Sequence, residues 1–362
     1  MSAAPSLQRI RCVFGAVILL AWAGGLWPDT ARSAVRVQGL YEVERVVADQ
    51  SPEERRSAAR DGLIEVLLRL TGRESLDPAD PPIAAALARP ERWLQQYRFQ
   101  PPAEEGGPVL WMRFDPGGLR RLLADAHLPL WGEVRPQTLI WLALRSATGR
   151  ELAAAESTHP AVELIRREAR RRGLPVLFPL LDLDDRRRVT FADVWGGFAE
   201  TVLEASRRYG TEAVLLGRLE ETPVGGWRSR WVLVLGDEHR EWDRDGDDLD
   251  GLVSAVMGRV AAALSARYAA PADAGAGTTP ELEVTGVDGL EAYARIGAYL
   301  QGLGAVRRAV LEEVEDDTLR YRLDLSASIE SLRQALDLDR VLVPDPEARA
   351  PTGAVLRYRV AP

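Results

Sequence analysis

LIWLAL at 139–144, AVELIRREARRR at 161–172, VLFPLL at 176–181, FAETVLEASRRY at 198–209 and AVLLGRL at 213–219 decide the reading of the fold. Three apolar runs of strand length alternate with two segments of helical length, which is the signature of an α/β domain. Two more strands, Trp227 to Leu235 and Glu238 to Trp242, read as a hairpin turning at Gly236-Asp237, and a helix follows with Leu249, Leu252, Val253, Val256, Val260 and Leu264 at helical spacing. The predicted middle domain, residues 134–268, therefore has the order βαβαβββα.

Upstream, Val35 to Val47 alternates in strand fashion and stops at Asp49-Gln50. A helix is predicted next: Ser51 is a ready N-cap, Pro52 suits the first helical position, Glu54 completes a capping box, and Gly72 is a natural stop. Ala59, Leu63, Val66, Leu67 and Leu70 give it one apolar face. A strand at Val109 to Phe114 and a helix at Leu119 to Ala126 complete an N-terminal αβ domain over 34–133, ending where Pro129 and Pro136 flank Leu130-Trp131-Gly132. Downstream, the Ala-, Gly- and Pro-rich residues 269–280 read as a linker. Residues 281–362 follow as βαββαβ, the ferredoxin-like order, with a hairpin at Asp316-Asp317 and a last strand starting at Val341 or running from Val355 to Val360. The fold class expected is α/β in the broad α+β sense, built as several small αβ domains.

The chain has 362 residues, beyond the roughly 250–300 at which a single core stops growing, so two or three domains are expected. Its basic residues are all Arg; there is no Lys. P-loop phosphate binding, Schiff-base chemistry and Ser-x-x-Lys acyl transfer are thereby excluded. Arg9 and Arg11 precede an apolar run from Val13 to Ala23, then Gly24, Gly25, Pro28 and Ala31-Arg32-Ser33. This is the pattern of a secretory signal peptide over 1–33. Counted to Trp27 the run is still short of the ~20 residues that cross a bilayer, so cleavage is expected in preference to a stable transmembrane anchor, and no later run is expected to span. Cleavage removes Arg9, Arg11, Arg32 and Asp29 and takes the net charge from −8 to −10. An acidic chain argues against a nucleic-acid partner. It also removes Cys12, the single cysteine, leaving a thiol-free product that can form no disulfide. A periplasmic location fits these features best.

Several short stretches resemble one family: Leu40-Tyr41-Glu42-Val43, Leu70-Thr71-Gly72-Arg73, Gln95-Gln96-Tyr97-Arg98-Phe99, Leu130-Trp131-Gly132, Asp193-Val194-Trp195-Gly196-Gly197-Phe198 and Tyr209-Gly210-Thr211-Glu212. Together they are similar to the proteobacterial domain-of-unknown-function family two thousand and sixty-six, uncharacterised exported proteins, over about 38–268. That resemblance implies no catalytic residues. The βαβαβββα order is also similar to small α/β domains of envelope assembly proteins, such as the amino-terminal domain of the Tol-Pal translocation protein.

Two stretches carry candidate chemistry. Asp193, Trp195, Gly196 and Gly197 lie between a strand and a helix, near the strand ends where α/β sheets place ligands. The glycines allow close backbone approach, Trp195 offers a flat face and Asp193 an acceptor; equally, the glycines shape a turn, Trp195 packs and Asp193 caps. Glu241, Asp243, Asp245, Gly246 and Asp247 resemble half a calcium loop whose closing position is Leu252 instead of Glu; the simpler reading is a turn with negative charge at a helix N-terminus. Asp182, Asp184 and Asp185 beside Arg186 to Arg188 read as a solvated loop. His127, His159 and His239 are isolated, and no metal, nucleophile-elbow or dinucleotide spacing is present, so no cofactor is implied. Eight Trp follow residue 33; an exposed subset would favour a glycan or protein partner. The function expected is that of a non-catalytic binding or assembly factor of the cell envelope, with an envelope protein or glycan as partner. The alternative is a carboxylate-dependent hydrolase of an envelope glycan or peptide, with Asp193 its least arbitrary member.

Overall fold

The computed structural model describes residues 34–101, 107–147, 149–269, 279–325, 329–338, 341–345 and 355–361. The leading segment over 1–33 and most of the linker over 269–280 lie outside the described residues. The protein is a mixed α+β structure, as the alternating pattern predicts. All the described residues belong to one compact unit.

The expected first strand is two strands. β1 (Ala34–Arg36) pairs antiparallel with β5 (Val134–Pro136), and β2 (Glu42–Val46) joins another sheet. Gly39, at φ 67°, makes the break between them. Helix α1 (Pro52–Thr71) starts at Ser51, whose hydroxyl accepts from the Glu54 amide, and stops at Gly72, at φ 67°. The reciprocal half of the capping box differs from expectation. Ser51 N donates to Asp49 at 2.8 Å, so Glu54 accepts instead from Ala48 N at 3.3 Å. A short helix α2 (Pro81–Ala88) and a strand β3 (Leu94–Gln100), neither anticipated, precede β4 (Val109–Phe114) and α3 (Pro116–Asp125). The first sheet runs β2-β4-β3, and Val43, Leu110, Met112 and Phe114 meet Leu63 and Leu67 of α1 in its core.

The middle sheet is built on β6 (Thr138–Ser146), whose first seven residues are buried. Along one edge lie β7 (Gly149–Leu152), a hairpin with β6, and β8 (Val176–Leu177) beyond helix α4 (Pro160–Arg172). Short helices α5 (Leu183–Arg188), α6 (Phe191–Gly196) and α7 (Ala199–Ser206) lead to β9 (Ala213–Glu221), parallel to β6. Then β10 (Trp227–Leu235) and β11 (Glu238–Gly246) extend the sheet as the predicted hairpin. The order is β11-β10-β9-β6-β7, with β8 also on β6. Because side chains alternate between faces, Ile140, Leu142, Leu215 and Leu233 meet α4 and α8 (Leu249–Tyr268), while Leu139, Trp141, Leu216 and Val234 meet α6 and α7. Contrary to the expectation of no later spanning run, α8 is long and apolar enough to cross a membrane. Here its apolar residues Val253, Val256, Val260 and Leu264 fill the core under the sheet.

The third sheet comprises β12 (Glu281–Thr285), α9 (Gly289–Gly302), β13 (Val306–Glu315), β14 (Thr318–Leu325), α10 (Ile329–Leu338), β15 (Leu342–Pro344) and β16 (Val355–Val360). Both candidate closing strands are present, so the order is βαββαβ with one strand more. β16 runs parallel to β12 and separates it from β15, in the sheet β13-β14-β12-β16-β15. Alternation explains why both fit: Leu342, Leu356 and Tyr358 all supply buried side chains to the same core.

Candidate functional site

The segment joining β8 to β9 carries the expected candidates, at the C-terminal ends of the parallel strands β6 and β9. Asp193 is the third residue of α6 and forms a capping box with Thr190, accepting from its amide at 2.7 Å and its hydroxyl at 2.6 Å. These bonds hold the Asp193 carboxyl below the usual carboxylate range. Trp195 is half-buried and engaged: the Arg145 guanidinium stands 4.0 Å from its ring centroid, Phe191 stacks on it at 5.3 Å, and Arg218 lies at 5.9 Å. Such stacking holds arginine side chains against the ring. Gly197, at φ 73°, ends α6, and a Cβ on Gly196 would stand 2.8 Å from the Phe198 ring. That ring is 60% exposed. Asp193, Trp195 and the glycines are therefore brought together, by cap, stack and turn.

The acids expected as half a calcium loop lie on the same sheet face. Register places Glu241 beside Val232, Asp243 beside Arg230 and Asp245 beside Arg228. Arg230 reaches Glu241 at 3.1 Å and Asp243 at 3.8 Å, and Arg228 reaches Asp245 at 3.8 Å. Alternate residues of a strand are about 7 Å apart, whereas a calcium ion takes its oxygens at about 2.3–2.6 Å, so the three carboxylates are strung out and salted by arginine. Asp247 lies past the strand end, and Asp248 caps α8 through Gly251 N at 2.7 Å. Among the described residues no group of three or more His, Cys, Asp or Glu could hold a metal ion.

The row expected as a solvated loop is a helix end with a buried acid. Asp182 caps α5, accepting from the amides of Asp184 and Asp185, and Arg208 grips it through two bonds of 2.8 and 2.7 Å. The Asp182 carboxyl is thereby held down to about 2. Asp185 is fully buried and accepts from the Tyr209 hydroxyl at 2.5 Å, Leu181 N at 2.9 Å and Arg208 at 3.2 Å. Burial and then Asp185 push the Tyr209 hydroxyl up to about 12. Charge alone made this row look solvated; Arg208 and Tyr209, more than twenty residues away, supply the partners that permit burial.

His159 caps α4, its Nδ1 accepting from Ala161 N at 3.2 Å, while His127 and His239 lie on the surface. Of the eight Trp after residue 33, Trp131, Trp141 and Trp231 are fully buried and the others are half-buried. The exposed subset that would have favoured a glycan or protein partner is thus missing among the described residues.

Sequence reasoning overlooked a second cluster, where α1 meets α4. Glu65 accepts from Arg45 at 2.5 Å, Arg69 at 2.7 Å and Arg171 at 3.2 Å. Arg69 also donates to the carbonyls of Gly39, Leu40, Glu42 and Arg171. Next to it Arg135, fully buried, donates to the carbonyls of Arg69, Trp131, Gly132, Arg172 and Gly173. Burial first, then the charge of Arg69, pushes the Arg135 guanidinium down to about 9. The available signal was Glu65 and Arg69 at i,i+4 beside the apolar stripe of α1.

Fold and site define a multi-sheet α+β protein whose middle sheet presents an arginine-and-aromatic stack at its parallel strand ends. A family model described as Domain of unknown function (DUF8605) matches residues 34–132. This corrects the resemblance to family two thousand and sixty-six: the model that matches belongs to a different family and covers the first sheet and its helices. Two of those motifs are structural joints: Gly72 ends α1, and Trp131 N donates to Leu70 O at 2.6 Å. No curated protein matches the chain.

Proposed function

We propose that the protein is exported, cleaved after Ser33 and released to the periplasm, where it acts as a non-catalytic binding or assembly factor of the cell envelope. Export rests on the charged and apolar pattern of residues 1–33. Ala34, the first residue after the expected cut, pairs with Pro136, so a chain starting there is tied into the fold from its first residue.

The observation that carries a binding role is the layer of α5 to α7. Leu180, Leu183 and Phe198, all in the connection that also carries Trp195, are exposed although large and apolar. Exposed apolar side chains rimmed by charge are the composition of a protein interface, and a protein of the envelope is the partner they fit. Hydrolysis of a glycan through paired carboxylates uses one carboxyl held protonated near neutral pH. Among the described residues, the carboxyls with displaced pKa values, Asp49, Asp182, Asp193 and Glu238, are all displaced downward.

The test has two arms. Amino-terminal sequencing of the protein from the periplasmic fraction should begin at Ala34; uncut chain in the cytosol would refute export. Site-specific photocrosslinking from position 198 should trap one stoichiometric envelope protein, with loss of the product in Leu183→Glu. Recovery of no partner, together with peptidoglycan hydrolysis abolished by Asp193→Ala, would replace the binding role with the enzymatic one.

A further inference from the structure

A cavity of about 400 Å³ opens between α1 and β2 on one side and α4 and α8 on the other. It lies on the side of the molecule where α4 and α8 cover the middle sheet, away from the Trp195 stack. Its charged lining is Arg45, Arg171 and Arg172 against Asp61, Glu65 and Glu168. Counted alone, that lining is balanced. Directly behind it stand Arg69 and Arg135, both buried. Arg69 spends one edge on Glu65 and the rest on carbonyls, and the five bonds of Arg135 all go to carbonyl oxygens. Glu74 and Glu133, the next acids outward, each pair with another cation, Arg259 and Arg36. Five guanidinium groups thus face three carboxylates. Burial is the first cause that shifts Arg69 and Arg172 down, with Glu65 and Glu168 opposing it more than the neighbouring arginines add to it, while Arg171, between Glu168 and Glu65, is shifted up.

Removing charge from water is costly unless it is compensated, and an open, solvent-filled cleft is where an outside anion can supply the compensation. Ser254 of α8 adds a hydroxyl, while Ile64 and Leu68 contribute apolar wall. Arg45 and Arg171 are partly exposed, so both can bend toward a ligand without giving up Glu65. We propose that this cleft binds a small ligand with one oxyanion head, a carboxylate or a phosphate monoester, and a short apolar body. The head lies among Arg45, Arg171 and Ser254, and the body rests against Ile64 and Leu68. Bound there, the anion ties α1 to α4 and α8. The inference is independent of the surface at Phe198.

Isothermal titration of the full chain at low salt tests it, with hexanoate, hexyl phosphate and hexanol as probes. Binding of either anion is expected, the stronger of the two identifying the head group, and hexanol should give no saturable heat. Arg171→Gln should weaken the preferred anion about tenfold, the worth of one charge-assisted hydrogen bond. Arg45→Gln, on β2 across the cleft from Arg171, should weaken it in the same direction and serves where Arg171→Gln fails to fold. Phe198→Glu should leave anion binding unchanged whether or not it abolishes partner capture. The proposal is overturned by hexanol binding as tightly as the anions, by no binding of either anion, or by unchanged affinity in folded Arg45→Gln and Arg171→Gln proteins.

Discussion

Arg135 donates from Nη2 to the carbonyl oxygen of Arg69 at 2.8 Å, joining the last turn of α1 to the strand that leads into the middle sheet. Two like charges are held adjacent because each is spread over several backbone carbonyls. Arg135 reaches the 131–132 joint and the 172–173 end of α4 with the same guanidinium. Five donors in a planar fork suit this task, and no other side chain provides them.

Replacing Arg135 with Met, similar in length and apolar, leaves those carbonyls without their donors. Unmet buried acceptors cost about 1–3 kcal/mol each where water cannot reach them, so Arg135→Met is expected to lose about 3 kcal/mol or more. Urea denaturation measures it. A midpoint equal to that of the unchanged protein would show that the carbonyls find water.

Gly132 faces Gly304 across the contact between the 131–132 joint and the third sheet. A Cβ on Gly132 would stand 2.5 Å from Gly304 N, a backbone atom that can yield only by moving its segment. Gly132→Ala is expected to destabilise this contact by about 1–3 kcal/mol, the usual range for overpacking. Faster hydrogen exchange around residues 302–306, with the first sheet unaffected, is the outcome to look for; unchanged exchange there would contradict the packing account.

Acid should loosen the α5 end through Asp182. Its folded-state pKa, about 2, lies below the ordinary value of 3.8, so its stabilisation is present above pH 3.8 and fades as the pH falls toward 2. Melting curves from pH 6 to 2 should therefore show a smaller acid-induced fall in Tm for Asp182→Asn than for the unchanged protein. Parallel curves would exclude Asp182 as a contributor.

Trp195→Ala removes the ring that holds Arg145 and Phe191. A stability loss of about 1–3 kcal/mol is expected from the lost burial and stacking, with exchange quickening at 190–198. Arg145 keeps Glu220 at 3.0 Å, so exchange in the β6 and β9 amides should change little. Equal quickening throughout the sheet would mean that Trp195 supports the whole layer.

Much of the architecture could be read from local pattern, and its failures share one cause. The β10–β11 turn was legible because Leu235 and Glu238 pair across two residues, Gly236 and Asp237. So was α1, because Ser51 and Gly72 act on their own helix. The roles of Asp185, Arg135 and Glu65 were not, since their partners lie many residues away. Asp185 reads as a surface acid until Tyr209 arrives over it. The candidate residues at 193–197 were legible as a group, but the cations from β6 and β9 that engage Trp195 were not.

Periodicity and capping are properties of neighbours along the chain, so the α+β class, most of the helices, the hairpins and the expectation of export came from the order of residues alone. Tertiary structure decided which charges are buried, that β16 inserts between β12 and β15, that α8 is a core helix, and that five arginines gather beside one cleft. The physical reason is that burial of a charge depends on donors and acceptors brought from distant positions. Only the folded chain puts those partners within hydrogen-bonding distance.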